Sequence, residues 1–235
     1  EDQLTRAFLV VLRLVPLAQA AFLDLVREIQ YEKRSEQIIP PLSAIFSQGV
    51  SIETQVQNIS QPSGRLISIL MTDEAWTPEK AIEASDRGAR YDGLIYYMPD
   101  WILVIENKPW SANVTEEQLR PSLTEESEIQ IDPVLVDLTW KTVVNRLSSL
   151  LERKLMQGTE ALIVDDFLQF VDQHFPYLNP YTSFATCKGN EYLLQKRCRA
   201  VMEEIAPGRV EHARGGRDFI KVLSGPAQRV FLSPK

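Results

Sequence analysis

The chain has 235 residues, 44% of them hydrophobic and 24% charged, with a formal charge of −7. That is a globular composition, and with 10 glycines and no triplet repeat it excludes fibrous and collagen-like classes. Two cysteines (Cys187, Cys198) without a CxxC pair exclude a disulfide scaffold, and two distant histidines (His174, His212) leave too few soft ligands for a zinc site; the expected compartment is a reducing cytoplasm.

No run reaches the roughly 18 uninterrupted apolar residues of a membrane span. The best candidate, residues 7–23, contains Arg13, Pro16 and Gln19, so no membrane association is expected. The start, Glu1-Asp2-Gln3, lacks the basic region and initiator Met of a signal peptide, and sequence is expected upstream of it. Charge is uneven: residues 1–185 carry 15 Lys/Arg against 27 Asp/Glu, and residues 186–235 carry 10 against 5. A polyanion is repelled by the first part and attracted by the second.

Leu4, Phe8, Val11, Leu12 and Val15 recur at helical spacing, predicting a helix over 2–15 ended by Pro16, with a second over 17–31. Period-two alternation predicts a strand over 51–57, and 65–71 is a further strand. Residues 72–89 read as a loop with a short helix. Residues 91–97 and 101–105 are β-rich runs joined by Met98-Pro99-Asp100, the pattern of a hairpin. The acidic run 111–130, broken by Pro121, is expected to hold a short helix at best. Residues 133–138 are a buried strand, after which Thr139 caps a helix over 140–156. Helices around 160–174 and 190–205 follow, then strand-like runs at 219–223 and 229–232. The fold class is mixed α/β.

The chain lacks the phosphate-binding GxxxxGK[ST] loop, the GxGxxG turn and the GxSxG elbow. What remains is Asp92 on one strand of the hairpin and Glu106-Asn107-Lys108 at the end of the other. Alternation sets Glu106 and Lys108 on one side, together with Ile102 and Val104, and turns Trp101, Leu103 and Ile105 to the opposite face. A carboxylate projecting from an apolar strand is costly unless a cation meets it. Two acids and a lysine converging there suit phosphodiester hydrolysis with Mg²⁺ or Mn²⁺, a hard cation that takes carboxylate, phosphate and water oxygens. The backbone carbonyl of Asn107 is a candidate further ligand. The tripeptide Glu152-Arg153-Lys154 has the same spacing but lies in a predicted helix, where a solvated polar face accounts for it.

In these residues and in the order of its elements over roughly 1–153, the chain resembles the PD-(D/E)xK nuclease superfamily. The resemblance implies a restriction-endonuclease-like αβββαβ core over 1–155, with a helical and β-hairpin extension over 156–235. It implies Asp92, Glu106 and Lys108 as catalytic residues, with Asp92 and Glu106 as metal ligands. Glu1, in the context Glu1-Asp2-Gln3-Leu4-Thr5, resembles a glutamate of the family's first helix and is a further candidate ligand, although an acid in a first helical turn is also favoured by the helix dipole. Gln118 resembles a glutamine of the following helix, but the tyrosine that commonly follows is absent. The Asp137-Leu138-Thr139-Trp140 junction resembles a strand-to-helix turn of bacterial members. Arg214-Gly215-Gly216-Arg217 and Lys221 form the candidate phosphate-contacting element, or else a hairpin loop with solvated arginines. Glu53 reads as a surface strand residue, His174 and His212 as surface or capping residues, and Tyr177, Tyr181 and Phe184 as core aromatics.

The expected function is metal-dependent DNA endonuclease activity on double-stranded DNA, in the setting of bacterial antiphage defence or restriction. Because the bulk of the chain is acidic, a homo-oligomer or protein partner is expected to supply affinity. An RNA-directed nuclease of the same fold and a catalytically silent assembly scaffold are the alternatives.

Overall fold

Leu4, Phe8, Val11 and Leu12 are buried on one side of α1 (Asp2–Leu14), as their spacing predicts. Val15 breaks the helix, and Pro16 opens α2 (Pro16–Arg34) at the first position, where a missing N–H costs nothing. The chain bends by 114° between the two helices. Among the described residues no single helix is long and apolar enough to cross a membrane. Ser35, left-handed at φ 56°, closes α2 by donating its N–H to Tyr31 O, and a short α3 (Leu42–Ile45) follows. The computed structural model describes residues 2–45, 49–73, 90–108, 119–121, 123, 126–175, 178, 198, 201–202, 210–212, 220–223 and 229–232.

Six strands form one mixed sheet: β1 (Val50–Val56), β2 (Ser63–Thr72), β3 (Tyr91–Tyr97), β4 (Trp101–Asn107), β5 (Glu128–Ile131) and β6 (Val136–Thr139). Their spatial order is β1-β3-β4-β2, and β2 then pairs in parallel with β5 along residues 63–66 and with β6 along 69–72. β3 is antiparallel to both its neighbours, whereas β4 and β2 run parallel. The strand β5 replaces part of the acidic run expected to be loop and short helix. Four residues with two isoleucines are too few to declare a period, and the parallel partner β2 supplies their backbone bonds. β2 stands between β4 and β6, although it precedes the hairpin in sequence.

The two faces are distinguished at Gly93. A Cβ there would lie 2.7 Å from Leu9 Cδ1 on α1, so residues of Gly93's parity, among them Ile95 and, across the register, Leu103 and Ile105, face the helix layer. Leu66, Tyr91, Leu94, Tyr96, Ile102 and Val104 form a cluster on the other face, with Ile59 packed against it, so the alternation that assigns the faces from Gly93 onward does not extend to Tyr91. The 57–62 connection lies there too, Ser60 N–H donating to Tyr96 Oη at 3.2 Å.

The expected N-cap is present. Thr139 Oγ1 accepts from Thr142 N–H at 3.1 Å and starts α4 (Trp140–Glu152), which buries Trp140, Val143, Val144 and Leu147. Trp140 and Phe22 both meet Phe8 edge to face, at 5.5 and 5.2 Å. Helix α5 (Gly158–His174) follows. The chain divides into two compact units, Glu1–Phe167 and Leu168–Lys235, with the division inside α5. In the second unit, β7 (Val210–His212), β8 (Ile220–Leu223) and β9 (Arg229–Leu232) form an antiparallel meander, one strand more than the two expected runs. His174 ends α5 with its ring 4.9 Å from Phe170. The expected helices in 72–89 and 190–205 and the aromatics Tyr177, Tyr181 and Phe184 fall wholly or mostly outside the described residues.

Gly93→Ala forces Leu9, 1% exposed, to move within packed surroundings. The expected cost is about 1–3 kcal/mol of stability, read as a fall in the urea midpoint at unchanged slope.

Candidate functional site

The geometry follows from the β3–β4 register, in which Gly93 pairs with Ile105 and Leu94 with Val104. The ladder ends there, and Asp92, the next residue of β3, is joined to β4 through its side chain and not through a paired backbone position. Parallel pairing then sets Leu70 of β2 beside Glu106, and Asp137 of β6 beside Leu70. Glu106, Leu70 and Asp137 thus form one row across three strands, on the face away from α1, and the Asp92 side chain meets the end of β4 beside it.

Asp92 Oδ2 accepts a hydrogen bond from the backbone N–H of Asn107 at 2.8 Å, which fixes the carboxylate against the neighbouring strand. Lys108 Nζ lies 3.0 Å from Glu106 Oε1. The two side chains are 20% and 11% exposed, so the pair is largely desolvated and its attraction exceeds that of a surface ion pair. Lys108 N–H donates to Met71 O at 2.8 Å, anchoring the end of β4 to β2. Asn107 stands between the acid and the lysine with its side chain on the helix face. There Oδ1 accepts from Trp140 Nε1–H at 2.8 Å, and both residues are buried.

Of the expected site residues, the structure brings Asp92, Glu106, Asn107 and Lys108 together. Glu1, Gln118, Arg214 and Arg217 lie outside the described residues. Lys221 is in β8, paired in register with Glu211 and Phe231. Glu53 is a half-buried residue of β1, opposite Leu94.

Three residues received no chemical role from the sequence. Asp137 interrupts an apolar run, which is the signal that could have found it; Thr72 Oγ1 lies 3.4 Å from its Oδ1. Trp140 carried no signal beyond its place after the cap. Lys33 donates to Leu135 O at 2.8 Å on β6's approach, and burial holds its ammonium below the usual lysine range, opposed by the carboxylates of Asp137 and Glu32.

Among the described residues no group of three or more His, Cys, Asp or Glu side chains is close enough to hold a metal ion. The donor set at this corner is two carboxylates, the number that Mg²⁺ commonly takes from protein when phosphate and water complete its octahedron. Comparison with protein-family models, curated proteins and solved structures finds no match.

Asp92→Ala removes the acceptor facing Asn107 N–H, with an expected loss of about 1–3 kcal/mol. Asp92→Asn retains an acceptor oxygen and is expected to lose less, a ranking read from the denaturation midpoints of the two variants.

Proposed function

We propose that the chain is a metal-dependent nuclease of the PD-(D/E)xK kind, hydrolysing phosphodiester bonds, with DNA as the substrate. One observation carries the reading: Asp92 Oδ2 accepts from the backbone N–H of Asn107 at 2.8 Å, between Glu106 and Lys108, whose side chains pair at 3.0 Å. In this reading α1, β1, β3, β4 and β6 supply the frame of the αβββαβ core. β2 is then an insertion between β4 and β6, and much of the segment joining those two strands lies outside the described residues.

Asp92 and Glu106 would hold Mg²⁺ or Mn²⁺. When bound, such an ion polarises the phosphoryl oxygen and acidifies a coordinated water. Asp92 presents its carboxylate in one orientation because Asn107 N–H holds Oδ2. Glu106 is oriented from its own strand by Lys108. The ammonium of Lys108, anchored at its backbone to Met71, would donate to the attacking water and stabilise charge developing on the phosphoryl oxygens. Leu70 and the apolar residues of the same face limit water at the row and so strengthen these interactions.

Residues 1–185 carry an excess of 12 negative charges and residues 186–235 an excess of 5 positive ones. The nucleic acid is therefore gripped by the C-terminal basic residues, Arg214, Arg217 and Lys221 among them, and a second copy or a protein partner adds to the contact. Regulated cleavage in bacterial defence or restriction is the setting this proposal favours.

The test is plasmid nicking with Mg²⁺ against EDTA, for wild type, Glu106→Ala and Lys108→Ala, alongside linear duplex, single-stranded DNA and RNA. Nicking that requires Mg²⁺ is expected, lost in Glu106→Ala and reduced about 10²–10³-fold in Lys108→Ala. Cutting of RNA alone moves the substrate to RNA. Wild-type protein that leaves every substrate intact with Mg²⁺, or cuts equally well in EDTA, overturns the proposal and favours an assembly scaffold.

A further inference from the structure

We infer that Trp140 is a positioning residue of the Asp92–Glu106–Lys108 corner, acting through Asn107; the inference rests on the proposal that this corner holds a divalent cation. The β3–β4 ladder pairs residues only as far as Gly93↔Ile105. Beyond it, residues 106–108 are fixed by other bonds, and three of them converge on two consecutive residues. Asn107 N–H donates to Asp92 Oδ2, Lys108 N–H donates to Met71 O, and Trp140 Nε1–H donates to Asn107 Oδ1.

The first two bonds set how the strand end sits between its neighbours. The third sets its rotation. Strand alternation means that turning the backbone at Asn107 swings Glu106 and Lys108 together, because both project to the face opposite Asn107. Holding Asn107 Oδ1 from the helix side therefore fixes the direction of the acid and the lysine on the other side.

The holder is itself rigid. Trp140 is fully buried, begins α4 directly after the Thr139 cap, and packs edge to face on Phe8 with rings 5.5 Å apart at 83°. An indole N–H donates only, so it accepts a single kind of partner and leaves Asn107 one way to turn. A purely packing role for Trp140 requires its ring and not its N–H, which separates the two roles experimentally.

The experiment measures Mn²⁺ affinity of the full chain by titration calorimetry, for wild type, Glu106→Ala, Trp140→Phe and Phe8→Leu, with urea denaturation of each. Trp140→Phe keeps most of the ring and removes the donor. Phe8→Leu loosens the same aromatic cluster and leaves the hydrogen bond in place. The expected result is a loss of Mn²⁺ affinity of about 10–100-fold in Trp140→Phe, the usual effect of removing a group that orients a metal ligand. Phe8→Leu, although less stable, is expected to bind as wild type does. Nicking assays should show the Trp140→Phe loss in kcat, with KM for DNA unchanged.

Should Trp140→Phe not fold, the double variant Asn107→Leu/Trp140→Phe replaces both polar partners by apolar ones and carries the same expectation. Affinity in the folded donor-less variant within about threefold of wild type (roughly 0.7 kcal/mol), or an equal loss in Phe8→Leu, overturns the inference while leaving the metal site standing. Absence of any Mn²⁺ binding that Glu106→Ala removes overturns the metal proposal itself, and this inference with it.

Discussion

The pairing of β3 with β4 is the constraint on which the rest depends. Side chains alternate with period two, so slipping β4 by a single residue would turn Glu106 and Lys108 from the face away from α1 toward the helices. The register is held from both faces. On the helix side Gly93 sits against Leu9 with no room for a Cβ, and Ile95, Leu103 and Ile105 fill the space beside it. On the other side Leu94, Tyr96, Ile102 and Val104 form a continuous apolar surface. At the turn, Arg65 N–H donates to Asp100 O at 2.7 Å and so ties the hairpin to β2. None of these contacts is made by a charged side chain, yet together they fix where the charges end up.

Carboxylates in such surroundings are retained only where donors meet them. Glu106 is 9% exposed and stands at the end of a strand whose preceding five residues are almost entirely apolar. A lone charge there would cost several kcal/mol, which the Lys108 ammonium offsets. Asp92 is met by a backbone amide, a donor that cannot rotate away. The outcome is two acids whose directions are set by strand geometry and not by flexible surface partners. Elsewhere the chain uses the same device for structure alone: Asp132, 5% exposed, is gripped by both terminal nitrogens of Arg34 and by Val134 N–H, so its carboxylate is wholly engaged. The contrast lies in position, since Asp132 closes a loop whereas Asp92 and Glu106 stand at the adjoining ends of β3 and β4.

What the sequence made legible follows the range of the interactions involved. Alternation and turn residues are local, and they located β1 to β4 and β6, the hairpin, the face of Glu106 and Lys108, and the Thr139 cap. Pairing partners are not local. That β2 lies between β4 and β6 depends on backbone bonds between residues 36 to 67 apart, which leave no periodic mark in either segment. β5 is four residues long, below the length at which period two can be told from chance. Asn107 and Trp140 are 33 residues apart in different elements, and each taken singly is unremarkable: a polar residue in a motif and an aromatic after a cap. Asp137 was visible as an acid in an apolar run, but its place in the row of Glu106 and Leu70 needed the sheet order.

The tripeptide 106–108 joins two layers because a strand has two sides. Its odd member, Asn107, belongs to the helix layer through Trp140, and its flanking members belong to the acidic corner. Any motion of α4 relative to the sheet is therefore converted into a rotation of the strand end, and the lever is short: one residue. The same argument explains why the N-terminus of α4 must be well fixed. Thr139 is at once the last residue of β6, paired with Thr72, and the cap of α4, so the helix begins where the sheet holds it. Sheet register, helix start and indole hydrogen bond are thus one continuous mechanical chain. The directions of the Asp92 and Glu106 carboxylates are fixed by the same packing that makes the fold stable.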